Sequence, residues 1–326
     1  MVVKTSFELM EENWDIAIIL DACRYDFFKR FYRYFFEGYL ERIVSKGSCT
    51  AEWFKKTFTS VYNDTIYVSG NPFINSYSIT IKGCCARKHF RTIVDIWARS
   101  WDPILGTVLP QSMNKSLLKT FEHYRGKRII AHYLQPHAPY ISPRYFVAGF
   151  SFPDVLKGSL FTLLPSAHPK GESQINDMLG FGKVSRRLET LLNWIEKIIK
   201  RAKLGNGIVL EIRRTLKMPP KSPLDATRRL YGVAGLRKAY TINLLIVLEI
   251  LTYVLENLDG RIVITSDHGE FLGEKNMFRH PCGVEDPILR HVPYFIVKKV
   301  KKPKKPVFSL YPLKLKIKLM RRLRRK

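Results

Sequence analysis

The sequence is short of acid: 28 Asp and Glu stand against 55 Lys and Arg in 326 residues, a formal charge of +27 and a pI near 9.9. Such an imbalance implies an anionic partner. It is also uneven. Residues 298–326 hold fourteen basic side chains and no acid, which leaves +13 (27 minus 14) for the other 297 residues. Cysteine is scarce too. The five, Cys23, Cys49, Cys84, Cys85 and Cys282, are odd in number and lack metal-finger spacing. No disulfide framework is therefore expected, and a reducing cytoplasm is the default. The opening MVVKTSFELMEEN carries acids where a secretory signal needs an apolar core. A helix expected over 240–258 is the most apolar stretch, but Asn243, Glu249 and Glu256 interrupt it, and no unbroken apolar run approaches the ~20 residues of a membrane span. The expectation is a soluble, cytoplasmic protein, peripheral at a membrane if its basic end finds one. No internal repeat is present. A hydrophobic content of 46% with 13% aromatics excludes disorder.

What is there centres on 258–280, LDGRIVITSDHGEFLGEKNMFRH. Residues 261–265 read as a short buried parallel strand, β-branched and introduced by Asp259-Gly260. Asp267 and His268 then fall just past its carboxyl end, where open α/β sheets place ligands. Taken alone, the dipeptide suits an N-cap as well as a metal site. A second apolar run, 15–20, also finishes in an acid, Asp21. Two such strands lying in parallel would bring two carboxylates together, an arrangement that repels unless a cation lies between them.

The remaining pieces fall in order between these two. In ACRYDFFKRFYRYFF, Phe27, Phe28, Phe31 and Phe35 mark a helix packed on the sheet, and Arg24 and Asp26 lie within a turn of Asp21. Arg24 can meet an anionic substrate or merely pair at the surface. A strand over 41–45 leads to Lys46-Gly47-Ser48-Cys49-Thr50-Ala51-Glu52-Trp53, a small-residue turn entering an amphipathic helix. That pattern suits an activated nucleophile at a helix amino terminus, and equally a helix cap from Ser48 or Thr50. Strands are expected over 65–68 and 128–134, and a helix around Trp97 and Trp101. The second strand ends in Gln135-Pro136-His137-Ala138-Pro139-Tyr140, where two prolines hold His137 on a rigid loop; His132, inside the strand, reads as core. Residues 144–237 read as an insertion over the site containing a helix over 184–203, and 292–297 as a final strand. Cys84 and Cys85 carry no assigned role.

Together IILDACRYD (18–26), GSCTAEW (47–53), HYLQPHAPY (132–140), AYTINL (239–244), ITSDHGEFLGE (264–274) and RHP (279–281) resemble the alkaline phosphatase superfamily, in its sulfatase-like branch. The resemblance covers most of 13–297. It implies an α/β fold of three layers, a mostly parallel central sheet with helices on both faces, as one catalytic domain over 1–297 followed by a basic tail over 298–326. It further implies that Asp21, Thr50, Asp267 and His268 hold a divalent metal ion (zinc, manganese, calcium or magnesium, one or two), that His137 contacts the substrate oxyanion, and that His280 holds a second metal or protonates the leaving oxygen. Arg24 would help bind substrate. Cys49 is not followed by the Pro and Arg of the formylglycine motif C-x-P-S-R. The nucleophile is therefore placed at Thr50, with Cys49 and Ser48 as alternatives.

The function expected is a metal-dependent hydrolase or transferase of a phosphate or sulfate ester, on a glycan or lipid head group. The competing class is a basic membrane-surface or nucleic-acid binding protein with a vestigial pocket. That class has no need of acids at Asp21 and Asp267. In the tail, Leu313, Leu315, Ile317, Leu319 and Leu323 alternate with or adjoin basic residues, which favours an anionic membrane surface over nucleic acid.

Overall fold

A computed structural model describes residues 7–77, 85–153, 163–164, 186–201 and 205–323. Its centre is a seven-stranded sheet of β1 (Ile16–Leu20), β2 (Phe36–Val44), β3 (Tyr62–Ser69), β4 (Phe90–Asp95), β5 (Arg128–Tyr133), β6 (Ile262–Thr265) and β7 (His291–Val300), in the order β2-β7-β6-β1-β5-β3-β4. β6, β1, β5, β3 and β4 pair in parallel, and β7 runs against both of its neighbours. All five residues of β1 are buried because the strand is covered on both faces. Its side chains alternate between two cores. Ile16, Ile18 and Leu20 join Phe28, Leu117, Leu248 and Phe295 on one face, while Ala17 and Ile19 join Trp53, Phe54, Phe58 and Tyr67 on the other. Helices α1 (Tyr25–Phe31), α3 (Pro110–His123) and the long α6 (Pro223–Leu255) cover the first face, and α2 (Thr50–Thr57) covers the second. The three-layer α/β arrangement expected from the sequence is thus observed.

The boundaries of α6 differ from expectation. It starts at Pro223 rather than near residue 240, because Ser222 accepts a hydrogen bond from Asp225 N and Pro223 fills the first turn. Gly232, at φ +67°, kinks the helix and breaks the periodicity by which its first half would be read. The helix is long and apolar enough to cross a membrane by length and composition, yet 72% of its apolar window is buried in the protein. Helices α4 (Arg186–Arg201) and α5 (Gly207–Thr215) lie within the 144–237 region. Trp101 falls outside the short helix Ile96–Ser100 and begins a two-residue strand. The basic end forms α7 (Tyr311–Leu323), whose Leu315 and Leu319 pack into Leu105, Ile141, Phe146, Ile246 and Ile250.

Candidate active site

Four adjacent parallel strands, β6, β1, β5 and β3, end at the same edge of the sheet, and each delivers polar side chains there. β6 supplies Asp267 and His268, β1 supplies Asp21, β5 carries His132 and leads to His137, and β3 leads to Asn71. Strand order does the work of convergence, since residues 246 apart in sequence meet because β1 and β6 are neighbours. Ala22, in the left-handed region at φ +59°, turns the chain after Asp21 so that its N–H donates to Asp267 Oδ1 at 3.1 Å.

Asp21, Asp267 and His268 are fully enclosed and form one cluster of potential metal ligands. His268 Nε2 lies 3.2 Å from Asp267 Oδ2 and 3.8 Å from Asp21 Oδ1. Thr50, the first residue of α2, donates its hydroxyl to Asp267 Oδ2 at 2.8 Å and lies 3.3 Å from His268 Nε2. These separations are those of donors surrounding one ion at about 2 Å from each. His268 Nδ1 contacts the Gly269 carbonyl at 2.8 Å, which fixes the tautomer so that Nε2 presents its lone pair to the cluster when the ring is neutral. Asn71 donates to Asp21 Oδ2 at 2.7 Å, while Asp21 Oδ1 is buried without a hydrogen-bond partner. Burial and the neighbouring Asp267 push the Asp21 carboxyl well up. Burial opposes ionisation of Asp267 too, but its contacts with His268 hold that carboxyl well below the usual range. Burial disfavours the charged His268 ring, yet Asp267 and Asp21 raise it to about 9. Two enclosed carboxylates, one with a bare oxygen, fit a divalent cation.

A second cluster lies beside the first. His137, Glu270 and His280 have ligand atoms within 4.8 Å of one another. His137 Nε2 stands 3.1 Å from His280 Nε2, a contact that needs one proton between the two nitrogens, and the His268 and His280 rings stack with centroids 4.3 Å apart. Burial lowers His137 to about 4 and raises Glu270 to about 8. Glu270 Oε1 also lacks a hydrogen-bond partner in its buried position, so this donor set suits a cation as well.

The two clusters are held from α6 by AYTINL. Tyr240 OH donates to Ala22 O at 2.7 Å and accepts from Arg24 N at 2.9 Å, pinning the Asp21 turn. Asn243 donates to the carbonyls of Pro136, His137 and Pro139 at 3.0 to 3.2 Å and accepts from Ile141 N at 3.0 Å, pinning the His137 loop. The pocket beside Thr50 has a volume of about 250 Å³ and is walled by Cys49, Phe73, Glu196, Asn206, Arg279 and His280 among others.

Several expectations are corrected. Cys49 and Cys282 form a disulfide, joining residues 233 apart and tying the turn before Thr50 to the loop after His280. Spacing alone could not reveal a bond that strand order and loop packing bring about. It removes the ground on which a reducing cytoplasm was expected, and it occupies the sulfur that made Cys49 an alternative nucleophile. Ser48 is engaged as well, donating to Pro281 O at 2.9 Å and accepting from Val284 N at 3.1 Å. Arg24 is buried, but its guanidinium is taken by Asp26 (2.8 Å), Glu274 (2.7 Å) and the Glu270 carbonyl (3.2 Å), so it orders the Glu270 loop rather than lining the pocket. The arginine that does line the pocket is the exposed Arg279, held at φ +69°. His132 is fully buried as expected, but its unpartnered Nε2 stands 3.9 Å from both Asp21 and Asp267. Cys84 lies outside the described residues. Glu270 and Arg279 sit inside the motifs SDHGE and RHP, and their positions beside the ligand residues are the signal by which they could have been found.

No protein-family model and no curated protein sequence matches the chain. Among solved structures it is similar to the integral membrane protein lipooligosaccharide phosphoethanolamine transferase A (EptA) of Neisseria meningitidis, at 13% identity over 86% of this chain and 47% of that one, with a TM-score of 0.46. It is similar also to the phosphonate monoester hydrolase of Agrobacterium radiobacter (11% identity, 86% and 67% covered, TM-score 0.38). A third is the periplasmic domain of EptC from Escherichia coli in complex with zinc (12% identity, 88% and 73% covered, TM-score 0.37). The chain thus spans about half the length of the first of them.

Proposed function

We propose that this protein is a sulfatase-like, metal-dependent enzyme that moves a phosphoryl or sulfuryl group from an anionic ester to Thr50 and then to water or an acceptor hydroxyl. One observation carries the reading: the Thr50 hydroxyl, beside a 250 Å³ pocket that Thr50 lines, shares a four-donor cluster with Asp21, Asp267 and His268. A divalent cation held by that cluster, zinc among the candidates, would supply a lowered hydroxyl pKa at Thr50 and neutralise charge on the transferred group. Thr50 forms its bond to phosphorus or sulfur as the bond to the leaving oxygen breaks; its hydroxyl proton, donated to Asp267 Oδ2 in this structure, would be given up to solvent once a cation lowers the hydroxyl pKa. The proton shared by His137 and His280 is placed to go to the leaving oxygen, and the same pair takes one back from the incoming water or hydroxyl. Arg279 faces the anionic ester from the pocket wall. The protein's substrate class is an anionic ester on a glycan or a lipid head group.

The test is mass spectrometry of protein purified without chelator and incubated with a panel of aryl phosphates, phosphodiesters and sulfates. The expected result is turnover of one class with a trapped phosphoryl or sulfuryl adduct on the Thr50 peptide. An adduct on another residue, or turnover that survives Thr50→Ala, contradicts the reading.

A membrane partner draws support from α7, where Leu313 and Ile317, four residues apart, stay exposed while Leu315 and Leu319 are buried. Liposome sedimentation of a Leu313→Glu, Ile317→Glu double variant checks it. Undiminished binding to anionic liposomes counts against that partner.

A further inference from the structure

Beyond the Thr50 pocket, a groove of about 620 Å³ runs between α5 and the first half of α6. Its walls are Ile208, Ile212, Leu216, Val233 and Phe278, with Arg228 at one side. Three of these apolar side chains face open water: Ile208 is 39%, Leu216 48% and Val233 37% exposed. Exposed apolar residues gathered in one concave place, rather than scattered, mark a binding surface. Among the described residues that line it the charges are paired, since Arg228 meets the lining Glu211 and Asp225, both at 3.1 Å, and lies over the Phe278 ring at 5.2 Å. Among those residues no uncompensated charge opposes an apolar occupant.

What identifies that occupant is the groove's position. Phe278 walls both the groove and the Thr50 pocket, as do the consecutive residues Gly207 and Asn206, one in each. A single ridge separates the two spaces, built by Asn206 and Phe278 hydrogen-bonded reciprocally at 2.8 and 2.9 Å. A Cβ at Gly207 would stand 2.0 Å from Asn276 Oδ1, and one at Gly205 2.3 Å from Asn276 O, so only glycines let the start of α5 sit this close to the turn leading to Phe278. An ester whose anionic end lies at Thr50 would cross this shared ridge to lay a chain along Ile208, Leu216 and Val233.

We propose that the groove takes the hydrocarbon chain of an amphiphilic ester substrate whose phosphate or sulfate group lies at Thr50. The proposal rests on the functional reading of that site, and it makes Leu216 and Val233 determinants of specificity rather than catalytic residues. Each methylene that the groove removes from water should tighten binding about four-fold, the equivalent of about 0.8 kcal/mol.

Titration calorimetry of the zinc-loaded protein with ethyl, butyl and octyl phosphate, below their micelle concentrations, tests this without relying on turnover. The wild type should bind octyl phosphate at least about ten-fold more tightly than ethyl phosphate. Leu216→Lys and Val233→Asp, both at exposed positions that leave the core intact, should each collapse that ratio toward one, with thermal melts confirming folding. Zinc-dependent binding with no chain-length preference, or a preference that persists in both variants, overturns the groove alone. Absence of zinc-dependent binding for all three phosphates overturns the functional reading and the groove with it.

Discussion

The two polar clusters at the sheet edge are neighbours built in different ways. Asp21, Asp267 and His268 stand directly at the ends of β1 and β6, where ladder pairing from Ile16↔Ile262 to Ile19↔Thr265 fixes their separation before any side chain is placed. His137, Glu270 and His280 stand on loops and depend on outside support: Asn243 for the His137 loop, Arg24 for the Glu270 carbonyl, and the Cys49–Cys282 bond for the segment after His280. A site half made of strand ends and half of loops combines a rigid centre with a side that can be tuned. Damage to each half should therefore read out differently.

The largest effect is expected at the centre. Thr50→Ala should lower turnover at least about a thousand-fold while leaving the far-ultraviolet dichroism unchanged. Asp267→Asn should lose the bound ion, seen as metal content falling toward zero by elemental analysis, because the residue also receives the Thr50 hydroxyl and the Ala22 N–H. In the loop-built half, Asn243→Ala strips the partner from three buried carbonyls and should cost about 1–3 kcal/mol of stability. Turnover should fall roughly ten- to a hundred-fold with metal content intact. Equal metal loss in the Asn243 and Asp267 variants would erase the distinction between the halves. Cys282→Ser should act more mildly on turnover. Three hydrogen bonds still join the two segments: Ser48 Oγ to Pro281 O, Val284 N to Ser48 Oγ, and Gly283 N to Glu52 Oε2. Its thermal stability should nonetheless drop, since a cross-link closing so long a loop is worth about 2–5 kcal/mol.

A pH series sharpens the comparison further. Burial raises Glu270 to about 8 from an ordinary value of 4.5, so the folded state favours its protonated form. That contribution to stability is present at low pH and is lost as pH rises through about 8. His268, raised to about 9 mainly by Asp267 against the opposing effect of burial, contributes stability below 6.5 that is likewise lost toward 9. His132 and His137, lowered by burial to about 4, act in the opposite sense, with stability present above 6.5 and lost as pH falls through about 4. Of these four groups only the first two change between pH 6.5 and 9, and Asp21, pushed up by burial and Asp267, acts in the same sense as Glu270. The melting temperature of chelator-treated protein should fall across that window, and a bound divalent cation should flatten the slope by stabilising the ionised carboxylate. A slope unaffected by metal would separate these groups from the ion site.

The same division decides how much could be read from the sequence. β1, β5 and β6 announce themselves as short apolar runs, and an acid or imidazole directly past each is visible in one line of text. That is why Asp21, Asp267, His268 and His137 were legible, and why the parallel neighbours β1 and β6 could be anticipated. Thr50 was legible as the first residue of an amphipathic helix after a small-residue turn. Contacts made by packing were not. Nothing in the spacing of Cys49 and Cys282 joins them, and Asn243 reads as a polar interruption of an apolar helix until its amide is seen holding the His137 loop. Arg24 misled for a related reason: proximity to Asp21 in sequence says nothing of where a long side chain ends, and Asp26 and Glu274 draw this one away. Arg279, 258 residues from Asp21 in sequence, is the one that reaches the pocket wall. In the tail, the alternation of Leu and Lys did not announce that a helix divides the buried Leu315 and Leu319 from the exposed Leu313 and Ile317.

The central claim is that Asp21, Thr50, Asp267 and His268 together hold one divalent ion beside the nucleophile. Anomalous diffraction at the zinc edge, from crystals grown with zinc, tests it most directly. The account predicts a peak about 2 Å from Thr50 Oγ1, His268 Nε2 and one oxygen of each carboxylate. A structure in which Thr50 stays hydrogen-bonded to Asp267 and Asp21 to Asn71, with zinc bound elsewhere on the protein, would contradict it.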